Sequence, residues 1–439
     1  MRIIHTSDWH LGQYFYGKSR ANEHQQFLHW LLAQAKSHSV NAIIVAGDIF
    51  DTATPPSYAR QMYFNFISEL QTFDCQLIIL AGNHDSVSML AESKALLSAL
   101  STKVIANVTD ISDDANLAEQ VFTLNNKQGV AQAVICAIPF IRPRDVIKSQ
   151  AGQSATDKAK QLQQAIVEHY QHLFEHAQSL VSQNEKTQKG TKLPIIATGH
   201  LTALGVTTSD SVRDIYIGTL EAFPSNAFPE ADYIALGHIH RAQKVGKTEH
   251  IRYSGSPIAL SFDEAKQKKR VLLVDFNENN LSTVTELTVP CFQPLAMLKT
   301  NLDNLNEELE ALIPTLVSDA FVEDGDMKIW LDIELANTGA LSDLQPKITA
   351  LVKDFPVEVL LVRRQKQVRN RLLLEKQEDQ STLSELTLEE VFDSRLQQET
   401  WLNEDDTDIT ANNDSSQRKT HLKLLFKQTV TQVLSEGES

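Results

Sequence analysis

The sequence has few cysteines, no long apolar run and no excess of positive charge, and each shortage excludes a class of protein. Three cysteines, Cys75, Cys136 and Cys291, stand far apart among 439 residues. This spacing excludes a disulfide framework or a zinc knuckle and predicts reduced thiols. No apolar run approaches the roughly 20 residues of a membrane span, and the first residues lack the apolar core of a secretory signal. We therefore expect a cytoplasmic protein without a membrane anchor.

The charge balance excludes a protein that coats nucleic acid by bulk electrostatics, since the formal net charge is −16. It does not exclude nucleic acid as a partner, because divalent cations and local basic clusters can supply positive charge where a phosphate must lie. No phosphate-binding loop occurs, so we do not expect the chain itself to bind ATP. A chain of 439 residues is long enough for two or three domains.

Predicted strands alternate with predicted helices in the first part of the chain. The runs "RIIHTS", "NAIIVAGD" and "CQLIILAG" predict strands, and helices are predicted over Glu23–Ser37 and from Ser57 to about Thr72. This order is typical of a parallel sheet covered on both faces. The later runs "AVICAIP", "LPIIATGH", "DYIALGH", "IRYSGSP" and "RVLLVDF" predict a second sheet packed on the first. Between them, Thr156–Gln183 predicts an exposed helical insertion, followed by the loop "NEKTQKGTK".

Five predicted strands end in residues that can bind a metal ion. These residues are Asp8 and His10; Asp48 and Asp51; Asn83, His84 and Asp85; His200; and His238 and His240. A single histidine after a strand is usually solvated or capped. Five such ends in one chain predict a shared site, because ligands of this fold class bind outside the carboxyl ends of the strands.

The residue types at these ends suit a pair of divalent ions. Two ions about 3.5 to 4 Å apart need a bridging ligand, and the carboxylate of Asp48 is the candidate. Alternate residues leave a strand on the same side, so Asp8 and His10 are expected to share an ion, while His238 and His240 each reach one. A mixture of imidazole, carboxylate and amide favours Mn²⁺, Fe²⁺ or Zn²⁺. A water held between such ions becomes a nucleophile, which predicts phosphoester hydrolysis.

The ordered set D-x-H, G-D-x-x-D, G-N-H-D, G-H and G-H-x-H resembles the calcineurin-like metallophosphoesterases over about the first 270 residues. The phrases "HTSDWHLGQ", "AGDIFDTATPPSYAR", "AGNHDS", "GHIHRAQ" and "YSGSPIALSFDE" narrow the resemblance to the SbcD nuclease subunits and their relatives. The chain has "GDIFDTA" where protein phosphatases continue with D-R-G, which disfavours a phosphoprotein substrate. The resemblance implies an α/β fold, a two-sheet sandwich flanked by helices, with a small α/β capping domain and a C-terminal helical tail.

The resemblance also implies a role for each site residue. One Mn²⁺ would be bound by Asp8, His10, Asp48 and His240, and the other by Asp48, Asn83, His200 and His238, with Mg²⁺ as the alternative ion. His84 would be the general acid, oriented by Asp51 or, as a second choice, by Asp85; a helix cap is the structural alternative for Asp85. The implied activity is exonuclease action on duplex DNA ends and endonuclease action on single strands and hairpins.

The implied domains are a nuclease domain (1–287), a capping domain with the order β-α-β-α-β (288–372) and a tail (373–439). In the tail, Thr387 and Glu390 form a capping box. Two amphipathic helices are predicted around a segment, 403–419, that should be disordered. Their apolar stripes are Leu388, Val391, Phe392 and Leu396, and Leu422, Leu425, Phe426, Val430, Val433 and Leu434. The resemblance names the partner of the tail as SbcC, a coiled-coil ATPase that would control access of DNA.

The sequence leaves several surface assignments open. A homodimer is implied, and Tyr58, Met62 and Phe66 could form its face or belong to the core. Tyr14, Phe15 and Tyr16 beside Lys18 and Arg20 suit base stacking and phosphate contact, or form an ordinary surface loop. Arg213 is a further DNA candidate, and "KQKKR" is interpreted as a solvated turn. The run Arg363, Arg364, Lys366, Arg369 and Arg371 contacts DNA or belongs to a charged linker helix.

Two other functions remain as alternatives to a DNA nuclease. One is a phosphodiesterase acting on small nucleotides, although such an enzyme needs no partner-binding tail. The other is a nonenzymatic clamp that only bridges SbcC heads, although a clamp needs neither the complete ligand set nor His84.

Overall fold

The computed structural model describes residues 1–73, 75–109, 114–147, 154–187, 192–212, 222–319, 328–336 and 344–364, together with 392, 395, 396, 422, 423, 425 and 426. In chain order, the strands are Arg2–Thr6 (β1), Tyr14–Phe15 (β2), Lys18–Ser19 (β3), Ala42–Ala46 (β4), Gln76–Leu80 (β5), Thr102–Ile105 (β6), Val121–Asn125 (β7), Ala131–Cys136 (β8), Ile195–His200 (β9), Tyr233–Gly237 (β10), Gln243–Lys244 (β11), Ile251–Tyr253 (β12), Arg270–Asn277 (β13), Asn280–Thr288 (β14), Leu295–Thr300 (β15), Ile329–Leu335 (β16) and Val357–Arg364 (β17). The helices are Ala21–Ser37 (α1), Ser57–Leu70 (α2), Val87–Glu92 (α3), Lys94–Ser98 (α4), Asp114–Gln120 (α5), Pro143–Val146 (α6), Ala155–Thr187 (α7), Leu305–Asp319 (α8) and Leu344–Leu351 (α9).

Two sheets pack face to face and form the centre of the fold. The first has the order β14-β13-β1-β4-β5-β6, and β1, β4, β5 and β6 run parallel. The second has the order β11-β12-β10-β9-β8-β7, and β12, β10, β9 and β8 run parallel. Alternate residues of both sheets, such as Ile44 and Ile196, share the buried layer between them. This arrangement confirms the predicted two-sheet sandwich, and it brings the carboxyl ends of both sets of parallel strands to one place.

Helices cover the outer face of each sheet. On the first sheet, α1 and α2 contribute apolar side chains such as Phe27 and Phe66. On the second sheet, α7 contributes Leu162, Ile166 and Tyr170, each at most 2% exposed. The prediction of a helix in this segment is confirmed, but the prediction that it is an exposed insertion was wrong. Full burial of each such side chain is worth about 1.5–3 kcal/mol, so α7 is part of the core.

A third sheet follows the sandwich, with the order β15-β16-β17. The succession β15, α8, β16, α9, β17 matches the order predicted for the capping region. The sheet packs through Leu295 and Trp330 on Phe15 and Phe262. Residues 1–335 and 349–363 form one compact unit, and 336–348 with 364–439 form a second. The predicted boundaries 287/288 and 372/373 stay predictions.

In the second unit, Phe392 stacks on Phe426 with ring centroids 3.9 Å apart. These residues belong to the two predicted apolar stripes, so the stripes contact each other at this point. The segment expected to be disordered, 403–419, lies outside the described residues. Among the described helices, none combines the length and apolarity needed to cross a bilayer.

Candidate metal centre

The predicted ligands lie together where the strands of both sheets end. Asp8 and His10 follow β1, Asp48 follows β4, Asn83 and His84 follow β5, His200 ends β9, and His238 and His240 follow β10. The loops after β1 and β4 continue to pair beyond their strands. Asp8 N–H donates to Gly47 O at 3.0 Å, and His10 N–H donates to Asp48 O at 3.1 Å. The backbone therefore fixes two strand-end loops against each other.

The backbone at the site is strained, which corrects one step of the sequence reasoning. Asp8, His10, Asp48 and His238 all have positive φ, at 54°, 48°, 51° and 92°. Such conformations cost of order 1–3 kcal/mol each and concentrate at functional sites. Asp8 and His10 are thus brought together by left-handed turns after β1, because the strand itself ends at Thr6. Strand alternation is therefore not what brings these two side chains together, and their sharing of one ion stays a prediction.

Glycines before the ligands allow the loops to approach each other. A Cβ on Gly82 would lie 2.1 Å from Asp48 Oδ1, and one on Gly237 would lie 1.9 Å from Ala46 O. Real Cβ atoms do not come this close to other heavy atoms, so no other residue fits without displacing a ligand or its support. The recurrent G-D, G-N and G-H pairs of the sequence have this steric origin.

Asp48, His200 and His238 form the first group, with ligand atoms all within 4.8 Å of one another. We call it the backbone-backed group, because His200 Nδ1 donates to the carbonyl oxygen of Ala46 at 2.9 Å. His200 Nε2 then lies 3.2 Å from Asp48 Oδ2 and 3.0 Å from Asn83 Oδ1. With its one proton used on Ala46, a neutral His200 presents a lone pair to two other acceptors. A cation satisfies all three.

Asp8, His10 and His240 form the second group, also within 4.8 Å. We call it the carboxylate-backed group. His10 Nδ1 lies 3.1 Å from Asp51 Oδ1, and His240 Nδ1 lies 2.5 Å from the hydroxyl of Ser211, which donates to Glu264. His10 Nε2 is buried and makes no hydrogen bond, as is also true of His238 Nε2. Buried polar atoms normally have partners, so these nitrogens fit metal ligands.

Asp48 belongs to the backbone-backed group and also faces the carboxylate-backed group. Its Oδ2 is 3.2 Å from His200 Nε2 and 3.7 Å from His10 Nε2. Its Oδ1 accepts the backbone N–H of His84 at 2.9 Å. One buried carboxylate oxygen thus faces a histidine of each group, which suits a bridging ligand.

Charges in the site depend strongly on one another. Burial would raise the pKa of Asp48, but His200 and then His84 hold that pKa well below its usual range. Burial would lower the pKa of His200, but the Asp48 carboxylate raises it to about 9. Burial and the nearby His200 hold the pKa of His238 well below its usual range. A proton on His200 therefore occupies the position that suits a cation, while His238 keeps a lone pair for one.

His84 lies beside both groups and is half-buried. Its Nδ1 donates to the backbone oxygen of Asp51 at 2.7 Å, and its ring packs edge-on against His10. Asp51 thus contacts His84 through its main chain, while its carboxylate meets His10. Ligand atoms of His10, Asp51 and His84 also lie within 4.8 Å of one another. The predicted orientation of His84 by Asp51 stays a prediction, with the backbone oxygen as the contact found.

Asp85 joins the two strand-end loops of the first sheet. Its buried carboxylate accepts the N–H groups of Ile49, Phe50 and Gly82 at 2.8–3.1 Å. Asp85 is not the cap of the following helix. Ser86 caps α3 instead, since its hydroxyl accepts Met89 N–H at 3.4 Å. Burial raises the pKa of Asp85 to about 6.

Sequence reasoning missed several supporting residues around the site. Arg142 Nη2 donates to the carbonyls of Gly82 and Asp85 at 3.4 and 3.1 Å, on either side of Asn83 and His84. Glu264 lies behind His240, paired with Lys269. Lys269 is only 10% exposed, so it does not belong to a solvated turn as predicted for "KQKKR". The motif "SFDE" offered a sequence signal for Glu264 only through its resemblance to a family.

The aromatic residues after His10 differ in exposure: one belongs to the core and two lie on the surface. Phe15 is buried and stacks on Trp330, with centroids 5.8 Å apart, whereas Tyr14 and Tyr16 are 45% and 54% exposed. Arg20 is buried against Glu23. Of the basic run, Arg363 pairs with Asp332, while Lys366, Arg369 and Arg371, like Arg213, lie outside the described residues.

Two protein families match the chain. The family described as calcineurin-like phosphoesterase matches residues 1–242, and the family described as type 5 capsule protein repressor C-terminal domain (SbcD_C) matches residues 291–400.

Curated relatives match over most of their length. The SbcD subunit of the nuclease SbcCD from Escherichia coli K12 is 51% identical over 396 residues, which cover 90% of this chain and 92% of that protein. The protein of the same name from Bacillus subtilis is 30% identical over 350 residues, covering 78% of this chain and 81% of that protein. The protein of that name from Rhodobacter capsulatus is 30% identical over 303 residues, covering 68% and 71%.

Proposed function

We propose that this chain, which belongs to the calcineurin-like phosphoesterase family and within it to the SbcD family of nuclease subunits, is the nuclease subunit of a complex with an SbcC-type ATPase. It hydrolyses phosphodiesters of DNA, as an exonuclease at duplex ends and an endonuclease on single strands and hairpins. The observation that carries the proposal is the position of Asp48 Oδ2 between two histidine groups, with His84 beside them.

The candidate ligands are assigned to two divalent ions. Asp8, His10 and His240 would hold one divalent ion, His200, His238 and Asn83 would hold the other, and Asp48 would serve both. Bound ions would activate a water and neutralise charge on the phosphoryl group. Mixed nitrogen and oxygen donors favour Mn²⁺ over Mg²⁺.

His84 supplies the proton. Since its Nδ1–H donates to Asp51 O, the ring is held in one orientation; in the doubly protonated imidazolium form, Nε2 carries the second proton and gives it to the leaving oxygen as the phosphorus–oxygen bond breaks, which leaves a neutral His84.

The DNA and the partner ATPase use surfaces outside the metal groups. Exposed Tyr14 and Tyr16, which follow His10 in the chain, offer stacking surfaces for bases. Residues 373–439 form the arm that binds the ATPase, whose ATP cycle controls entry of DNA, and 288–372 form a capping domain beside that entrance. Cys75, Cys136 and Cys291 form no disulfide bond with one another, which fits a cytoplasmic location.

A second copy of the chain is proposed to pack on α1 and α2. A groove of about 260 Å³ between these helices is lined by Leu28, Leu32, Tyr58 and Met62, among others. Phe66 is only 2% exposed, so it belongs to the core and not to the proposed face. Phe64, on the same helix, is 42% exposed. We expect light scattering to give the mass of a dimer for the wild type and of a single chain for Met62→Glu; an unchanged dimer in the variant contradicts this face.

The nuclease proposal is tested with end-labelled duplex and hairpin DNA in Mn²⁺, with and without the partner ATPase. We expect His84→Gln to cut about 10²–10⁴-fold more slowly with its bound Mn²⁺ retained, since it loses the proton donor. His172→Gln, on the exposed face of α7, is the matched control and should cut at the wild-type rate. Equal cutting by His84→Gln would refute the acid role. Wild-type protein that cleaves small phosphodiesters but no DNA would refute the nuclease proposal.

A further inference from the structure

A buried carboxylate, that of Glu264, lies behind His240. The residue ends a short 3₁₀ helix, Phe262–Glu264, and is 0% exposed. Its Oε1 accepts the hydroxyls of Ser209 and Ser211, and its Oε2 accepts Leu260 N–H and Lys269 Nζ. Such a dense set of donors keeps the carboxylate ionised and in one position.

The directions of these hydrogen bonds determine the tautomer of His240. A hydroxyl has one proton, and that of Ser211 is donated to Glu264. The 2.5 Å contact between Ser211 Oγ and His240 Nδ1 must therefore use the proton of His240. His240 then carries its proton on Nδ1, which leaves Nε2 as a lone pair for the group it shares with Asp8 and His10.

The same carboxylate also holds a loop. Ser209 donates to Glu264 at 2.6 Å, so the segment Ser209–Ser211 contacts Glu264 twice. Lys269 Nζ completes the cluster, with bonds to Glu264, to Ser256 and to the backbone oxygen of His240. A buried ion pair of this kind adds little stability by itself, because desolvation of both charges offsets their attraction.

We propose that Glu264 is a positioning residue, which acts through Ser211 on His240 and couples ion binding by the carboxylate-backed group to the conformation of Ser209–Ser211. The inference rests on the proposed function only in assuming that His240 binds a divalent ion. Outer carboxylates of this type change metal affinity by about 10- to 100-fold when they are removed. Coupling is reciprocal, so an ion bound at His240 stabilises the loop by as much as the ordered loop stabilises the ion.

The test is a Mn²⁺ titration of the full-length protein, followed by electron paramagnetic resonance of the free ion. We expect Glu264→Gln to lower the affinity for one of the two Mn²⁺ ions by about 10- to 100-fold and to leave the affinity for the other unchanged. Asp263→Asn is the matched control. It removes the same charge one residue away, and Asp263 contacts the same loop through Asp210 N–H but does not contact His240. It should bind both ions as the wild type does.

Hydrogen exchange of the segment Thr207–Val212 supplies the second measurement. Mn²⁺ should slow exchange there in the wild type and in Asp263→Asn, and should have no such effect in Glu264→Gln. If Glu264→Gln does not fold, Ser211→Ala replaces it in this experiment. This variant removes the hydroxyl between Glu264 and His240 but keeps the buried ion pair, and it should show the same loss in milder form.

Three outcomes would overturn the inference. The first is equal Mn²⁺ affinity in Glu264→Gln and Asp263→Asn, and the second is an equal loss of affinity for both ions in Glu264→Gln. The third is a Mn²⁺ effect on loop exchange that survives in Glu264→Gln or, where that variant does not fold, in Ser211→Ala. Failure of the nuclease proposal is seen separately, as a wild type that binds two ions and cuts no DNA.

Discussion

The two groups of the candidate metal centre contain similar ligands but are supported in different ways. In the backbone-backed group, the carbonyl of Ala46 holds His200, and Ala46 is the last residue of β4, a fully buried strand of the first sheet. In the carboxylate-backed group, side chains provide the support: Asp51 holds His10, and Glu264 holds His240 through Ser211.

The difference teaches which changes each group can tolerate. A backbone acceptor cannot be removed by substitution, so the first group depends on the shape of the strand ends. A carboxylate can be replaced, and it makes the imidazole a stronger metal ligand, so the second group depends on side-chain chemistry. We expect steric variants to affect the first group and isosteric amide variants to affect the second.

The largest effect is expected from Gly47→Ala. A Cβ there would lie 2.1 Å from His200 Nδ1, and the φ of Gly47 is +93°. His200 must move and lose its bond to Ala46, so we expect one bound Mn²⁺ per chain instead of two. Gly129→Ala is the matched control, because its φ is +75° but a Cβ would meet nothing within 4 Å.

Calorimetric titration and denaturant unfolding measure both consequences of the glycine variants. Gly129→Ala should lower the free energy of unfolding by roughly 1–2 kcal/mol, the cost of a left-handed backbone alone, and should bind two ions. Gly47→Ala should be less stable than this. Equal stabilities and equal ion counts would show that His200 does not depend on the shape of the loop.

A smaller effect, confined to the other group, is expected from Asp51→Asn. The amide keeps the size of the carboxylate but no longer strengthens His10 as a ligand, so the affinity for one Mn²⁺ should fall by about 10- to 100-fold. The main-chain oxygen that holds His84 is unchanged. Mn²⁺ titration separates the two roles of Asp51: unchanged affinity with slower DNA cleavage would mean that its carboxylate acts on His84 instead.

The sequence singles out the candidate ligands that the structure brings together, because strand ends are a local property. An apolar run followed by Gly-Asp, Gly-Asn-His or Gly-His can be recognised without knowing the neighbours, and the sandwich brings such ends together. The two-sheet fold and the family followed from the same ordered motifs.

What the sequence did not reveal depends on distant contacts. The support of His240 joins Ser211 and Glu264, which are 53 residues apart, and no local pattern connects them. The burial of α7 was missed because its polar residues outnumber the stripe of Leu162, Ile166 and Tyr170 that packs on the second sheet. The positive φ of Asp8 and His10 was also hidden, since left-handed backbone at these residue types is imposed by the surrounding loops.

The smallest effect concerns a histidine that belongs to neither group and therefore serves as a reference for both. His169 is 2% exposed and lies 3.3 Å from the amide nitrogen of Gln120, and burial lowers its pKa to about 4. Because the folded pKa lies below the unfolded value of 6.5, His169 costs nothing above pH 6.5 and destabilises the fold as the pH falls from 6.5 towards 4.

We expect His169→Gln to remove up to about 1.4 kcal/mol per pH unit from the slope of unfolding free energy within that window. Urea unfolding between pH 6.5 and 4.5, with and without Mn²⁺, measures the slope. The difference between variant and wild type should be the same in both conditions, because His169 does not face the candidate metal centre, whereas slopes that come from the two groups should change with the ion. A difference that disappears in Mn²⁺ would place His169 in contact with the site and end its use as a reference for the two groups.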